Sequence, residues 1–386
     1  MTEQAQSNEN GIKLHHNIIT LPEGKSAGDV VGERHDIVLL TEVVKSNPNG
    51  DPDTGNMPRL QPDTMKGLMT DVCQKRKIRN FYSLYMPSGA LLDHPVSGYQ
   101  IFIRENAVLQ NLMEDADLAE TAKNIFDSYS EPNRGNWVQP ARGRAGSSEF
   151  IVRSYRDALC QTFFDVRAFG GVVSTDGPLK GSFYGQIRGP IQFGFAESLD
   201  RVLQLDFTIT RCASASEKEA NQAGESEGES ESSGNRTMGR KHVVDYGIYR
   251  SHIYLSPAFA AKTGFTYYDL DNFLFALQHM FSDDRAAARP GGMRVVGLVD
   301  FQHSTPLGNE HAHKLFEMVN VHRADVGDDG NIKKEFPQSI ADYCGEAPNG
   351  AVREKDQGGP GNELITARKI IWEIPACHGE KCTVRS

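Results

Sequence analysis

Apolar residues along this chain fall into short β-type runs separated by turn residues, with a few longer helical stripes. Residues 1–33, whose first eleven are polar, read as a flexible extension. Order is expected to begin at residues 35–40, a β-branched and apolar run that reads as a buried strand. A turn-rich loop over 45–58 follows. Residues 68–80 are expected to be helical, with Leu68, Met69, Val72 and Cys73 on one apolar stripe. The span 101–130 opens as a short strand and continues as a helix. Residues 133–148 form a Gly/Arg loop holding Arg134, Arg142 and Arg144. Strand-like patterns occupy 166–174, 186–195, 203–211, 237–255 and 294–301. A helix is expected over 269–281, where Phe273, Leu274, Leu277 and Phe281 form one stripe. Residues 324–366 read as mostly irregular, and 369–374 as a last strand. No internal repeat is evident. Strands mixed with two or three helices predict an α+β sheet domain.

Length and charge refine this picture. The chain has 386 residues, room for one large domain with insertions or two modest ones. No apolar run is long enough to span a membrane, and the polar start lacks the apolar core of a signal peptide. The six cysteines are scattered, so reduced thiols in a cytoplasm are expected. A net charge of −10 argues against nucleic acid only if the acid is evenly spread. It is not. Glu217, Glu219, Glu225, Glu227, Glu229 and Glu231 crowd residues 216–234, which read as a disordered insert within the folded domain.

Four segments carry candidate chemistry. The run Ser46, Asn47, Pro48, Asn49, Gly50, Asp51, Pro52, Asp53 makes a stiff turn at a strand end. It suits a phosphate-binding nest of backbone N–H groups, a plain structural turn, or a weak metal loop using Asp51 and Asp53. Lys75, Arg76 and Arg79 share one side of a helix, as a phosphate track or a solvated face. Arg167, Phe169, Gly170 and Gly171, with Gln186 and Arg188, combine in-strand glycines with cations and a ring. They fit close approach of a nucleic acid or a structural bulge. Met238, Arg240, Lys241 and His242 form a basic tip directly after the acidic insert.

Other patterns are weaker. Gly143 to Gly146 fits a KH-type loop, a short motif frequent by chance. Phosphate-loop, dinucleotide and nucleophile-elbow motifs are absent. His311 and His313, with His303 and His322 near in sequence, read as ordinary histidines. Cys377, His378 and Cys382 lack a second ligand pair, so no metal or other cofactor is expected.

In order along the chain, Ser46 to Asp53, Met57 to Arg59, Thr70 to Arg79, Phe164 to Gly170, Gln186 to Gln192, Met238 to Val244 with Tyr246 to Arg250, and Ala312 to Leu315 resemble the Cas-seven backbone subunits of Cascade. The likeness is strongest to the type I-C (Csd-two) branch and covers residues 35–322. It implies a modified RRM-like (ferredoxin-like) palm over 34–322 with inserted fingers and a thumb hairpin, then an irregular stretch over 323–386. The acidic insert lies where that thumb is expected.

The resemblance also implies a role. Several copies would stack along one guide CRISPR RNA and present it for pairing with target DNA. Cas-five-type and large Cas-eight-type subunits would be partners, and no membrane is involved. Lys45, Ser46, Asn47, Asn49, Gly50, Lys75, Arg76 and Arg79 would hold guide phosphates. Phe169, Gly170 and Gly171 would admit RNA to the palm, with Arg167, Gln186 and Arg188 in support. Met238, Arg240, Lys241 and His242 would lie at the thumb. No catalytic residue is expected. The rival reading is a metal-dependent ribonuclease like the type III relatives, using Asp51 or Asp53.

Overall fold

A computed structural model describes residues 13–131, 135–138, 148–174, 177–210, 238–327, 331–352 and 365–377. Its main sheet comprises β1 (His35–Ser46), β2 (Lys66–Met69), β3 (Ile191–Phe193), β4 (Ala196–Arg201), β5 (Gln204–Thr210), β6 (Met238–Leu255), β7 (Met293–Gln302), β8 (Gly350–Ala351) and β9 (Thr366–Trp372). The order is β8-β9-β7-β1-β6-β4-β2, with β3 and β5 also paired to β6, and every pairing is antiparallel. The expected α+β class is thus observed.

β1 lies near the middle because both of its faces are apolar. Ile37, Leu39 and Val43 enter one core and Val38 and Leu40 the other, as the period of two requires. This explains why its sequence reads as a continuous apolar run.

On the first face pack α1 (Asp71–Leu84) and α7 (Tyr267–His279). A capping box starts α7: Thr266 accepts from Asp269 N–H, and the Asp269 carboxylate accepts from Thr266 N–H. Leu270, Phe273, Leu274 and Leu277 are buried beneath it. Residues 13–33, expected to be flexible, also pack here. Ile19, Ala27 and Val31 are buried, and the N–H groups of His16 and Ile18 donate to the Asp271 carboxylate on α7. The apolar residues of this stretch follow neither a helical nor a strand period, so pattern alone did not mark them as anchors.

A second cluster is helical. It joins α2 (Leu109–Met113), α3 (Ala116–Ser128) and α4 (Glu149–Thr162) through Met113, Leu118, Ala122, Phe126, Tyr155 and Leu159. The short α5 (Phe164–Phe169) links it to the sheet; Phe164 and Phe169 belong to the first core and Val166 to the helical one. Next along the chain from β6 comes α6 (Pro257–Thr263). The other sheet face is covered by α8 (Ala312–Glu317) and by a hairpin pairing Asn320–Arg323 with Tyr343–Glu346.

Several expectations are corrected. Lys66–Met69 is a strand, and Thr70, whose hydroxyl accepts from Cys73 N–H, starts α1 after it. No strand forms at Ile101; Phe102 and Ile103 instead donate their N–H groups to Asp165. Residues 164–169 are helical, and only Gly170–Val172 extends as a strand. The span 324–366 contains the strands Tyr343–Glu346 and Gly350–Ala351. Arg134, Arg142, Arg144 and the acidic insert lie outside the described residues. Among the described residues no helix is long and apolar enough to cross a membrane.

Candidate nucleic-acid interface

Two of the four predicted segments meet at one end of the sheet. Ser46 on β1 pairs with Val244 on β6, and Val244 pairs with Gln204 on β5. Beyond this point β5 and β6 continue as a two-stranded hairpin carrying Arg240, Lys241 and His242. Lys45 sits at its root, exposed, with Nζ 2.5 Å from Asp245 Oδ1. Cross-strand register sorts the hairpin's faces. Lys241 is paired with Phe207, which is 46% exposed, so a cation stands beside an open ring. On the opposite face Asp206 lies 3.3 Å from His242 and 4.0 Å from Arg240. Met238 begins β6 opposite Thr210.

The turn after Ser46 is built from its own polar groups. The Ser46 hydroxyl donates to Val44 O, and Asn47 Nδ2 donates to Asn56 O. Asn49 Oδ1 accepts from the N–H and hydroxyl of Thr70, fixing the start of α1. At Gly50 a Cβ would fall 1.9 Å from Asn56 Oδ1, so a larger residue there would displace the Asn56 side chain. Positive φ occurs at Lys45, Gly55 and Asn56 rather than at Asn49 and Gly50. The Ser46, Asn47 and Asn49 side chains are therefore internal braces. Asp51, offered as a metal ligand, accepts from Asp53 N–H and lies 3.3 Å from Arg59 Nη2.

The α1 cations do not form one open track. Lys75 pairs with Asp71 at 2.9 Å, and Arg76 donates to Ile103 O. Arg79 is buried, bonded to Asp165 at 2.8 Å with its guanidinium 5.5 Å from the Phe169 ring centroid. Three cations on a helix pattern as solvated residues, but here Asp165 recruits the third inward.

The third segment is corrected most. Arg167 is buried and gripped by Asp269, with further bonds to Cys160 O and Gly98 O. Burial opposes the charge on both partners, yet their mutual attraction wins: Arg167 is raised and Asp269 held below the usual carboxylate range. Phe169 is a core residue. Gly170 does mark a close approach, but of the chain to itself: at φ +72°, a Cβ would lie 2.2 Å from Ile187 O. Gly171 has open space where a Cβ would sit.

Gln186 and Arg188, in contrast, project outward from the strand paired to Gly170–Val172. They line a cleft of about 420 Å³ with Arg156, Lys262, Phe183 and Tyr184. Phe183 is 83% exposed, and Arg156 lies 5.8 Å from the Tyr184 ring centroid. Cations interleaved with rings are the composition that single-stranded nucleic acid favours. Arg156, Lys262 and the adjacent Phe183 and Tyr184 escaped the sequence reading because they come from three separate elements. This cleft abuts α6, which follows the end of β6 opposite the Arg240 hairpin, so the exposed candidates form two groups.

One comparison with known proteins shows the family. A family model described as "CRISPR-associated protein Cas7" matches residues 33–346. That spans most of the chain, and the chain belongs to the Cas7 family. Among solved structures, one described as "CRISPR RNA-guided surveillance complex, pre-nicking" is 13% identical, with TM-score 0.39 over 69% of this chain and 78% of that one. Another, "CRISPR RNA-guided surveillance complex", is 10% identical, with TM-score 0.35 over 69% and 68%. No curated protein matches.

Proposed function

We propose that this chain is a guide-RNA-binding backbone subunit of a type I CRISPR surveillance complex, of the type I-C branch. Membership of the Cas7 family supports the complex. The observation that carries RNA binding is the meeting of Lys45 with the Lys241 and Phe207 hairpin at one sheet end. In this reading the sheet with α1 and α7 is an RRM-like palm, the helical cluster of α2–α4 the fingers, and the β5–β6 hairpin the thumb.

Lys45, Arg240 and Lys241 hold guide phosphates, while Phe207 offers a face to a displaced base. The cleft with Gln186 and Arg188 guides a further stretch of backbone. Copies associate head to tail along the RNA, since a heterologous contact that does not close yields a filament. Target DNA pairs with the presented bases, and Cas-five-type and Cas-eight-type subunits complete the complex in the cytoplasm. The reading needs no catalytic step.

The test is a salt-dependent titration of a guide RNA with the Arg240→Ala/Lys241→Ala chain. Each lost phosphate contact lowers the slope of log affinity against log salt by about 0.7. An unchanged slope rejects the assignment.

A further inference from the structure

His322, Cys344 and Cys377 come from three separate parts of the sequence and converge. Their candidate ligand atoms all lie within 4.8 Å of one another. His322 Nε2 is 3.3 Å from Cys344 Sγ and 3.6 Å from Cys377 Sγ, and the two sulfurs are 3.0 Å apart.

The fold enforces this meeting. His322 and Cys344 are direct cross-strand partners in the hairpin of Asn320–Arg323 and Tyr343–Glu346, so their side chains share a face. Cys377 arrives on the stretch after β9. That stretch is held by Gly345 N–H donating to Pro375 O, by Glu373 N–H donating to Val296 O, and by burial of Ile374. Backbone bonds on both sides thus fix the cluster independently of any bond among its members.

We propose that His322 Nε2, Cys344 Sγ and Cys377 Sγ bind one zinc ion, which ties the end of the chain to this hairpin. The donor set is imidazole and thiolate, the chemistry that selects zinc over hard cations. Zn–S bonds of about 2.3 Å and a Zn–N bond of about 2.1 Å require the sulfurs to separate by somewhat under about 1 Å, which side-chain rotation supplies. Two thiolates balance the ion's charge, leaving a partly buried site with no net charge. Binding sends two thiol protons to solvent, and the fourth position is left to water or a further donor. His322 Nδ1 is buried without a hydrogen-bond partner among the described residues, so the imidazole lacks the usual outer brace.

The alternative for two sulfurs this close is a disulfide, which needs them about 1 Å nearer, at roughly 2.05 Å. The full chain, purified with reductant and without chelator, is assayed for metal and by intact mass. Near-equimolar zinc is expected, with loss of that zinc in His322→Gln and in Cys377→Ser. Cobalt added to stripped, unmutated protein is expected to give a tetrahedral spectrum with thiolate charge transfer, which does not depend on any variant folding. Protein that takes up neither metal overturns the proposal. So does zinc retained in both variants, or a Cys344–Cys377 cross-link in the reduced preparation.

Discussion

Arg167 and Asp269 face each other across 102 residues of sequence, with Nη2 2.8 Å from Oδ1 and Nε 3.0 Å from Oδ2. The pair joins α5 to the start of α7 and leaves the Arg167 side chain only 8% exposed. Tyr99 adds a hydroxyl donated to Oδ1 at 2.7 Å. Removing Arg167 strands a buried carboxylate, so Arg167→Ala should lose about 3–5 kcal/mol of stability. Urea denaturation measures this directly. The folded fraction should still bind guide RNA with an unchanged salt slope, which separates a structural role from a phosphate contact.

The same pair sets an acid limit. Burial pushes the Asp269 carboxyl up, but Arg167, the Thr266 N–H and the Tyr99 hydroxyl together hold it low. Its contribution is complete above the unfolded carboxylate pKa of about 3.9 and is lost as pH falls below that toward the folded value. His252 acts earlier. Burial, helped by Arg250, lowers it to about 4, and its ring stacks on Phe316 at 4.1 Å. Between its unfolded pKa of about 6.5 and this value, the unfolded chain binds the extra proton, so stability falls on acidification. His252→Phe should flatten the melting temperature between pH 6.5 and 4.5, roughly the window those two values bracket.

Gly170 and Gly171 are adjacent and should respond oppositely. Gly170→Ala drives a methyl into Ile187 O at a positive φ and should cost at least about 2 kcal/mol. Gly171→Ala meets nothing and should stay within about 0.5 kcal/mol of the parent chain. Thermal denaturation of the two variants checks the contrast.

Arg188 and Lys262 line the outer cleft without serving the core. Arg188→Ala/Lys262→Ala should leave the melting temperature in place while weakening guide binding. Two lost contacts should reduce the salt slope by about 1.4. A binding isotherm identical to that of the parent chain would remove this cleft from the RNA path.

Much of the sheet was legible because its strands carry their signal locally. β1, β6, β7 and β9 appear where apolar runs or alternation place them. Residues 166–174 were misread because a buried six-residue helix and a short strand share one apolar run, which periodicity cannot divide. The fate of the basic residues was less legible still. Arg79, Arg167 and Arg188 look alike in sequence. Asp165 and Asp269, 86 and 102 residues away from their partners, draw the first two inside. Likewise, the spacing of histidines and cysteines gave no hint that a hairpin register would set His322 opposite Cys344.

β6 runs for 18 residues without a break, central in the sheet at one end and half of the outer hairpin at the other. Mechanically it is a cantilever. With its root clamped between β1 and its partners on the other side, the outer arm has no hinge at which to swing. Its bearing is therefore inherited from the body of the protein. Changes in the length of 211–237, which joins the arm's two strands, alter what it carries and leave its aim alone.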